Sequence, residues 1–293
     1  MGDDSLHFEY YFCELNKPDL REFLDENRIR YKVLNEGKVF SDGRLVPVYL
    51  TFRIKGDSEI VKQLSQKYRC SVHPEVIYSA DEVNSAPLLW MTPAKQVVDI
   101  TNMDTAYLFS CEWMDSRGIS RAYHKKQIGI FTIKKEPSSK TQTAIWAGST
   151  GFAEVFVDRR VVRLCETEGF NGIRFERVKL SKGVDSENIF QLIGENVIDR
   201  SCIVLGKGEK EITCPFCGKI QYGISDAYQL HLNLNVENNV SDFYMTEDVF
   251  GHGIAAPLYL VSQRFFQALK RNGLTGNVRF DPVEVAPYEV FGE

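Results

Sequence analysis

Cys214-Pro215-Phe216-Cys217-Gly218 is the sharpest chemical motif in the chain. Two cysteines separated by two residues and followed by glycine form the tight knuckle of a zinc ribbon. The turn aims both sulfurs at one point, and its backbone amides stabilise the thiolates. A closed structural zinc site needs four ligands, and no second CxxC exists in the sequence. Cys111 stands at the matching place in an earlier, related segment, but the residue three positions on is Met114, a poor zinc ligand. The remaining donors are Cys70 with His73 in a CxxH spacing, Cys202, His124 and His231. The motif reads either as part of a structural zinc site held by Cys214, Cys217 and Cys111, or as a metal-free turn that keeps two thiols. Redox chemistry is disfavoured, because this CxxC does not open a helix after a strand.

A second group of chemistry-bearing residues lies in DFYMTEDVFGHG. Asp242, Glu247, Asp248 and His252 are close together, and acids beside a histidine can do acid–base work. The same residues, with Phe243 and Tyr244, equally form an acidic contact surface, which is the more frequent meaning of such a loop. Other catalytic signatures are missing: there is no GxSxG, HExxH, P-loop or GxGxxG after a strand. SSKTQT at 138–143 reads as a polar loop, and AIWAGSTGF sets Trp146 near two glycines, as a packed turn or a ligand pocket.

The elements that must position these residues include a segment that occurs twice. VFVDRRVVRLCETEGFNGIRFERV at 155–178 is matched by YLVSQRFFQALKRNGLTGNVRFDPV at 259–283, with one residue inserted after the second glycine of the later copy. A long-period repeat decides architecture before any local reading does. Each copy predicts a strand, a helix capped by Asp158 or Ser262, a helix-ending glycine (Gly169 or Gly273), and a strand. Val161, Leu164 and Cys165, like Phe265, Ala268 and Leu269, fit a buried helical face. Arg160 and Arg264 recur at one helical position, as a structural ion pair or cap.

The first 80 residues read differently, in the order β-α-β-β-α-β of a ferredoxin-like sandwich, with Asn16 and Pro18 opening the first helix. Residues 81–104, carrying APLLWM, read as a connection. The expected fold is therefore α+β. A ferredoxin-like domain (1–80) is followed by two tandem α+β repeats (81–185 and 186–293), the second bearing the zinc-ribbon-like knuckle.

Apolar residues make up 43% and charged residues 26% of the 293, which suits a globular chain. No apolar run reaches the roughly 18 residues of a membrane span, and MGDDSLHFEYYF lacks the basic start of a secretory signal. Seven cysteines are too few for a disulfide scaffold, so a cytoplasmic setting is the expectation. A formal net charge of −5 argues against broad nucleic-acid binding and suits a basic partner.

CPFCGK, a strand, DFYMTEDVFGHG, LVSQRFFQALKRNGLTG and FDPV together resemble the second half of the double-CXXCG motif proteins, a family of bacterial immunity proteins linked to polymorphic toxin systems. The likeness covers residues 105–285 and leaves out the N-terminal unit. It departs from the family pattern at the first CXXCG, where Cys111-Glu112-Trp113-Met114-Asp115 stands. The resemblance implies a non-catalytic antitoxin that occludes a cognate toxin domain, with structural zinc as scaffold. Two other classes stay open: an enzyme that reverses a toxin's modification through Asp242, Glu247, Asp248 and His252, and a zinc-ribbon adaptor for nucleic acid.

Overall fold

Alternating side chains in HFEYYFCEL build β1 (His7–Leu15), which pairs antiparallel with β3 (Tyr49–Lys55) and β4 (His73–Ile77). The structure is a computed structural model. It describes residues 7–34, 48–55, 58–70, 73–93, 97–114, 120–138, 143–149, 154–204, 210–223, 230–234, 241–247, 249–250 and 256–285. With β2 (Tyr31–Leu34) the first sheet has the order β2-β3-β1-β4. Helices α1 (Pro18–Glu26) and α2 (Ser58–Gln66) contribute Leu20, Phe23, Leu24, Val61 and Leu64 to the core against Phe12, Leu50 and Phe52. Phe12 and Phe52 face each other across the ladder and stack at 4.7 Å. Pro18 takes the first helical position as expected, but the cap is Lys17, with no side-chain cap bond. Asn16 instead accepts a hydrogen bond from Arg21 Nε at 2.6 Å. This unit ends at Tyr78, and a second, larger unit begins at Ser79.

The larger unit opens with α3 (Ala80–Ser85), where Ser79 and Glu82 form a capping box. Then come β5 (Leu88–Pro93), β6 (Val97–Val98), the single turn α4 (Met103–Ala106), the hairpin of β7 (Tyr107–Met114) and β8 (Ser120–Gln127), and β9 (Thr132–Ile133). β10 (Ile145–Gly148), β11 (Val155–Asp158), α5 (Arg159–Glu168) and β12 (Ile173–Leu180) follow. The next stretch holds β13 (Asp185–Gly194), β14 (Asn196–Ile198), β15 (Ile203–Val204), the hairpin of β16 (Lys210–Thr213) and β17 (Ile220–Gly223), and β18 (His231–Leu232). It closes with β19 (Phe243–Thr246), β20 (Val249–Phe250), β21 (Tyr259–Ser262), α6 (Gln263–Arg271), β22 (Val278–Pro282) and β23 (Glu284–Val285). The chain is thus mixed α+β.

Two sheets of this unit have matching order. One runs β6-β10-β11-β13-β12, with β9 added at its edge, and the other β14-β19-β21-β5-β22. In each, the first pair is parallel and the next three are antiparallel. Register matches too. Val157 faces Phe190 as Val261 faces Leu89, and Phe175 faces Leu192 as Phe280 faces Met91. The twice-written segment falls on β11-α5-β12 and β21-α6-β22. The strand between its two β arms, however, comes from the other stretch. β13 lies between β11 and β12, while β5 lies between β21 and β22.

This corrects the reading of APLLWM as a connection: Leu88, Leu89 and Met91 are at most 1% exposed, in a central strand. The sheets and both helices share one core, in which Val157, Val161 and Leu192 pack with Val261, Phe265 and Phe280. A second core lies around Trp146, Phe156, Phe131 and Ile189. Trp146 is therefore a buried strand residue, in line with the packed alternative. No helix among the described residues is long and apolar enough to cross a membrane.

Candidate functional site

The segment expected as an acidic loop contains two strands, β19 and β20, and its acids differ in role. Phe243 is wholly buried and Asp242 is 4% exposed. Phe243 packs edge-on against Phe265 and tilted against Tyr259. Tyr244 is half-buried, and its hydroxyl accepts a bond from the Ser241 amide at 2.6 Å. Glu247 is exposed. Asp248 and His252 lie outside the described residues. Asp242 and Phe243 are thus interior groups, and a partner reaching this segment meets Glu247 and the rim of Tyr244.

Asp242 is the hub of a structural node. Arg264 grips it with two donors, Nε at 3.0 Å and Nη2 at 2.6 Å. The Ser262 hydroxyl donates at 2.8 Å and the Asn171 amide at 3.2 Å. Burial alone would push this carboxyl up; bonds from Arg264, Ser262 and Asn171 outweigh it and hold the pKa below the ordinary carboxylate value. Arg264 also donates to the carbonyls of Glu168 and Gly169 at the C-terminus of α5, and lies 4.5 Å over the Phe170 ring. Cations at that helix end oppose its dipole favourably.

The other copy solves the same problem differently. Arg160 pairs with Asp158, the cap of its own helix, at 2.6 Å and donates to the Thr143 carbonyl at 3.0 Å. Asp158 N donates to Ala144 O at 3.0 Å, just as Ser262 N donates to Asp242 O at 3.0 Å. The position of Asp242 is therefore held by Ala144 in the first copy, and the position of Asp158 by Ser262 in the second. The arginine keeps an acid while the acid changes strand. Each turn also reaches across to the opposite copy: Ser241 donates to Asn171 Oδ1 at 2.5 Å, and Asn277 donates to Thr143 Oγ1 at 2.6 Å.

The knuckle is a turn between β16 and β17. Cys214 N donates to Lys219 O at 2.8 Å and Gly218 N to Cys214 O at 3.0 Å, with Gly218 at φ 71°. Cys214 is buried and Cys217 exposed. Cys111 does not sit at a comparable turn: it lies within β7, its backbone paired with that of His124 on β8. The side chains of Cys111, His124 and His73 fall outside the described residues. Among the described residues no three metal-ligating side chains converge. At this turn the described residues offer the thiols of Cys214 and Cys217. Thiol labelling tests the environments. Burial raises Cys70 to about 11 and, reinforced by Asp242 and Glu166, raises Cys165 to about 12. Iodoacetamide at pH 8, read by mass spectrometry, is expected to modify exposed Cys13 and Cys217 at least about tenfold faster than either.

A feature the sequence reading missed is a cleft of about 570 Å³ in the larger unit. Its polar lining comes from distant segments and includes Tyr107, Gln127, Glu154, Arg174, Lys219 and Glu247. Gln127 and Gln191 bond reciprocally at 2.8 and 2.7 Å. The Tyr107 hydroxyl donates to Glu154, which is 4% exposed. One local signal was available: Glu154 is a charged residue directly before the wholly buried VFV of β11. Set beside known proteins, the chain matches no protein-family model, and no curated protein matches it either.

Proposed function

We propose that this chain is an immunity protein, which captures a cognate toxin domain and occludes it without catalysis. The resemblance of its second copy to the double-CXXCG immunity proteins supports this reading. So does the fate of Asp242, the observation that separates it best from an acid–base enzyme. The central carboxylate of the candidate catalytic group is buried and held as an anion by Arg264 and Ser262. A general base needs a free lone pair within reach of substrate. The residues common to both copies are occupied with packing and caps, which leaves recognition to what the copies do not share. A rigid platform with exposed acids such as Glu247 suits a basic toxin surface. On the same footing we read the first unit as a ferredoxin-like sandwich, from its order β2-β3-β1-β4. We read the larger unit as a tandem duplication, from its matching sheets. Zinc at the knuckle would be scaffold.

The test is co-expression with candidate toxin domains drawn from the genes that neighbour this one. Protection should appear only at or above one copy of this chain per toxin. Protection at sub-stoichiometric dose would sink the reading and favour the enzyme. Glu247→Lys is expected to slow association about tenfold at low salt, with the difference shrinking as ionic strength rises. Stopped-flow binding across a salt series measures this.

A further inference from the structure

The matching sheets hold a further regularity in the order of their strands. β5 leads directly into β6 as β13 leads into β14, and a hairpin follows later in each case, β7–β8 or β16–β17. Register carries the match through. Val97 faces Ala147 as Val197 faces Met245. Ile100 bridges Ile133 antiparallel as Ile203 pairs with Leu232. Ile133 in turn lies parallel to Leu180, as Leu232 lies to Val285. One repeat therefore runs from β5 to β12 and the next from β13 to β23. Drawn this way, each repeat lends its own first strand to the other's sheet: β5 lies between β21 and β22, and β13 between β11 and β12.

The exchanged strands are central and buried. Leu88, Leu89 and Leu192 are at most 1% exposed. Without β13, the arms β11 and β12 lose the neighbour that joins them, and buried backbone groups left without partners are costly. Neither sheet closes without the other repeat. The covalent link between the repeats is one exposed turn from Leu180 to Asp185. Leu180 N donates to Val184 O and Gly183 N to Leu180 O, both at 2.8 Å.

We propose that a second copy of this chain is a partner that the larger unit is built to accept. The first repeat of one copy closes with the second repeat of another through the same exchanged strands. Within one chain the turn holds the two repeats at high effective concentration, so the closed monomer forms first. Between chains the same contacts form with the turn unused, as in domain swapping. The proposal extends the duplication reading and does not depend on the immunity reading.

Two full-length variants carrying different tags test this. Val157→Asp spoils the first repeat and Val261→Asp the second, at wholly buried counterpart positions. Each alone is expected to lose the melting transition of the larger unit, because it buries a carboxylate without a partner. Co-expressed, the two should co-purify and recover about half of the wild-type melting amplitude, since only one of the two possible pairings joins intact repeats. Val157→Asp with Val161→Asp, both in the first repeat, should recover none. Equal recovery by the two pairs, or recovery by neither, overturns exchange with a second copy and leaves the duplication standing. Hydrogen exchange on each single variant tests the duplication itself. Both sheets should lose protection together, because each repeat has a strand in each sheet. Loss confined to one sheet overturns the repeat boundaries, and the proposal with them.

Discussion

Asp242→Ala is expected to destabilise the larger unit by about 1–3 kcal/mol, because it removes a buried carboxylate and leaves the Ser262 hydroxyl and the Asn171 amide without that acceptor, while the half-exposed Arg264 can turn to water. Arg264, Ser262 and the Asn171 amide all lose an acceptor at once. The first copy supplies the remedy. There the acid stands at the helix cap as Asp158, and Ala144 fills the strand position. The double variant Asp242→Ala with Ser262→Asp rebuilds that arrangement in the second copy and should recover at least half of the loss. Denaturant unfolding of the wild type, the single and the double variant measures it. No recovery would mean that the two copies are not interchangeable at this node. Acid gives an independent readout. The folded pKa of Asp242 lies below its unfolded value, so its contribution is complete above about pH 4 and disappears as pH falls through the lower folded value. Asp242→Ala should therefore flatten the acid limb of the stability curve.

Gly172→Ala is expected to cost about 4 kcal/mol or more, enough to leave much of the chain unfolded at 37 °C. Gly172 has φ 77°, and an added Cβ would lie 2.3 Å from Ser241 Oγ and 2.4 Å from Phe243 O. The second of these is backbone of β19, which cannot swing away. Gly169→Ala is the control. Its φ is 64° but nothing lies within 4 Å of the added carbon, so only the left-handed backbone penalty of about 1–2 kcal/mol applies. Thermal melts should separate the two variants by several degrees. Equal melts would show that the turn shifts to make room.

The local rules of the helices were legible. Asp158 and Ser262 cap as their types require, accepting from Arg160 N and Phe265 N, and Gly169 ends its helix at positive φ. Arg160 and Arg264 were readable as ion-pair residues because they recur beside caps. Their partners were not, since the acid moved from a helix cap to a neighbouring strand, and no spacing rule connects Asp242 to Arg264. β5 was opaque for a related reason. LLWM has no alternation because both faces are covered, Pro87 and Pro93 flank it, and its pairing strands lie at the far end of the chain. The cleft was hidden too, because its lining is gathered from strands that meet only once the sheets form. The side chains at Cys111 and the residues Asp248 and His252 belong to the sequence reading alone.

The placement of β5 also sets the order of events at the ribosome. Its neighbours β21 and β22 are made long after it, as is Gln263, which donates to Asn84 across 179 positions. At synthesis rates of about 5–20 residues per second, Leu88–Met91 waits on the order of ten to thirty seconds for a partner. During that interval an apolar, non-alternating strand is without its sheet. The emerging chain must shield it, by transient collapse or by a chaperone, until β21 and β22 arrive and both sheets close together.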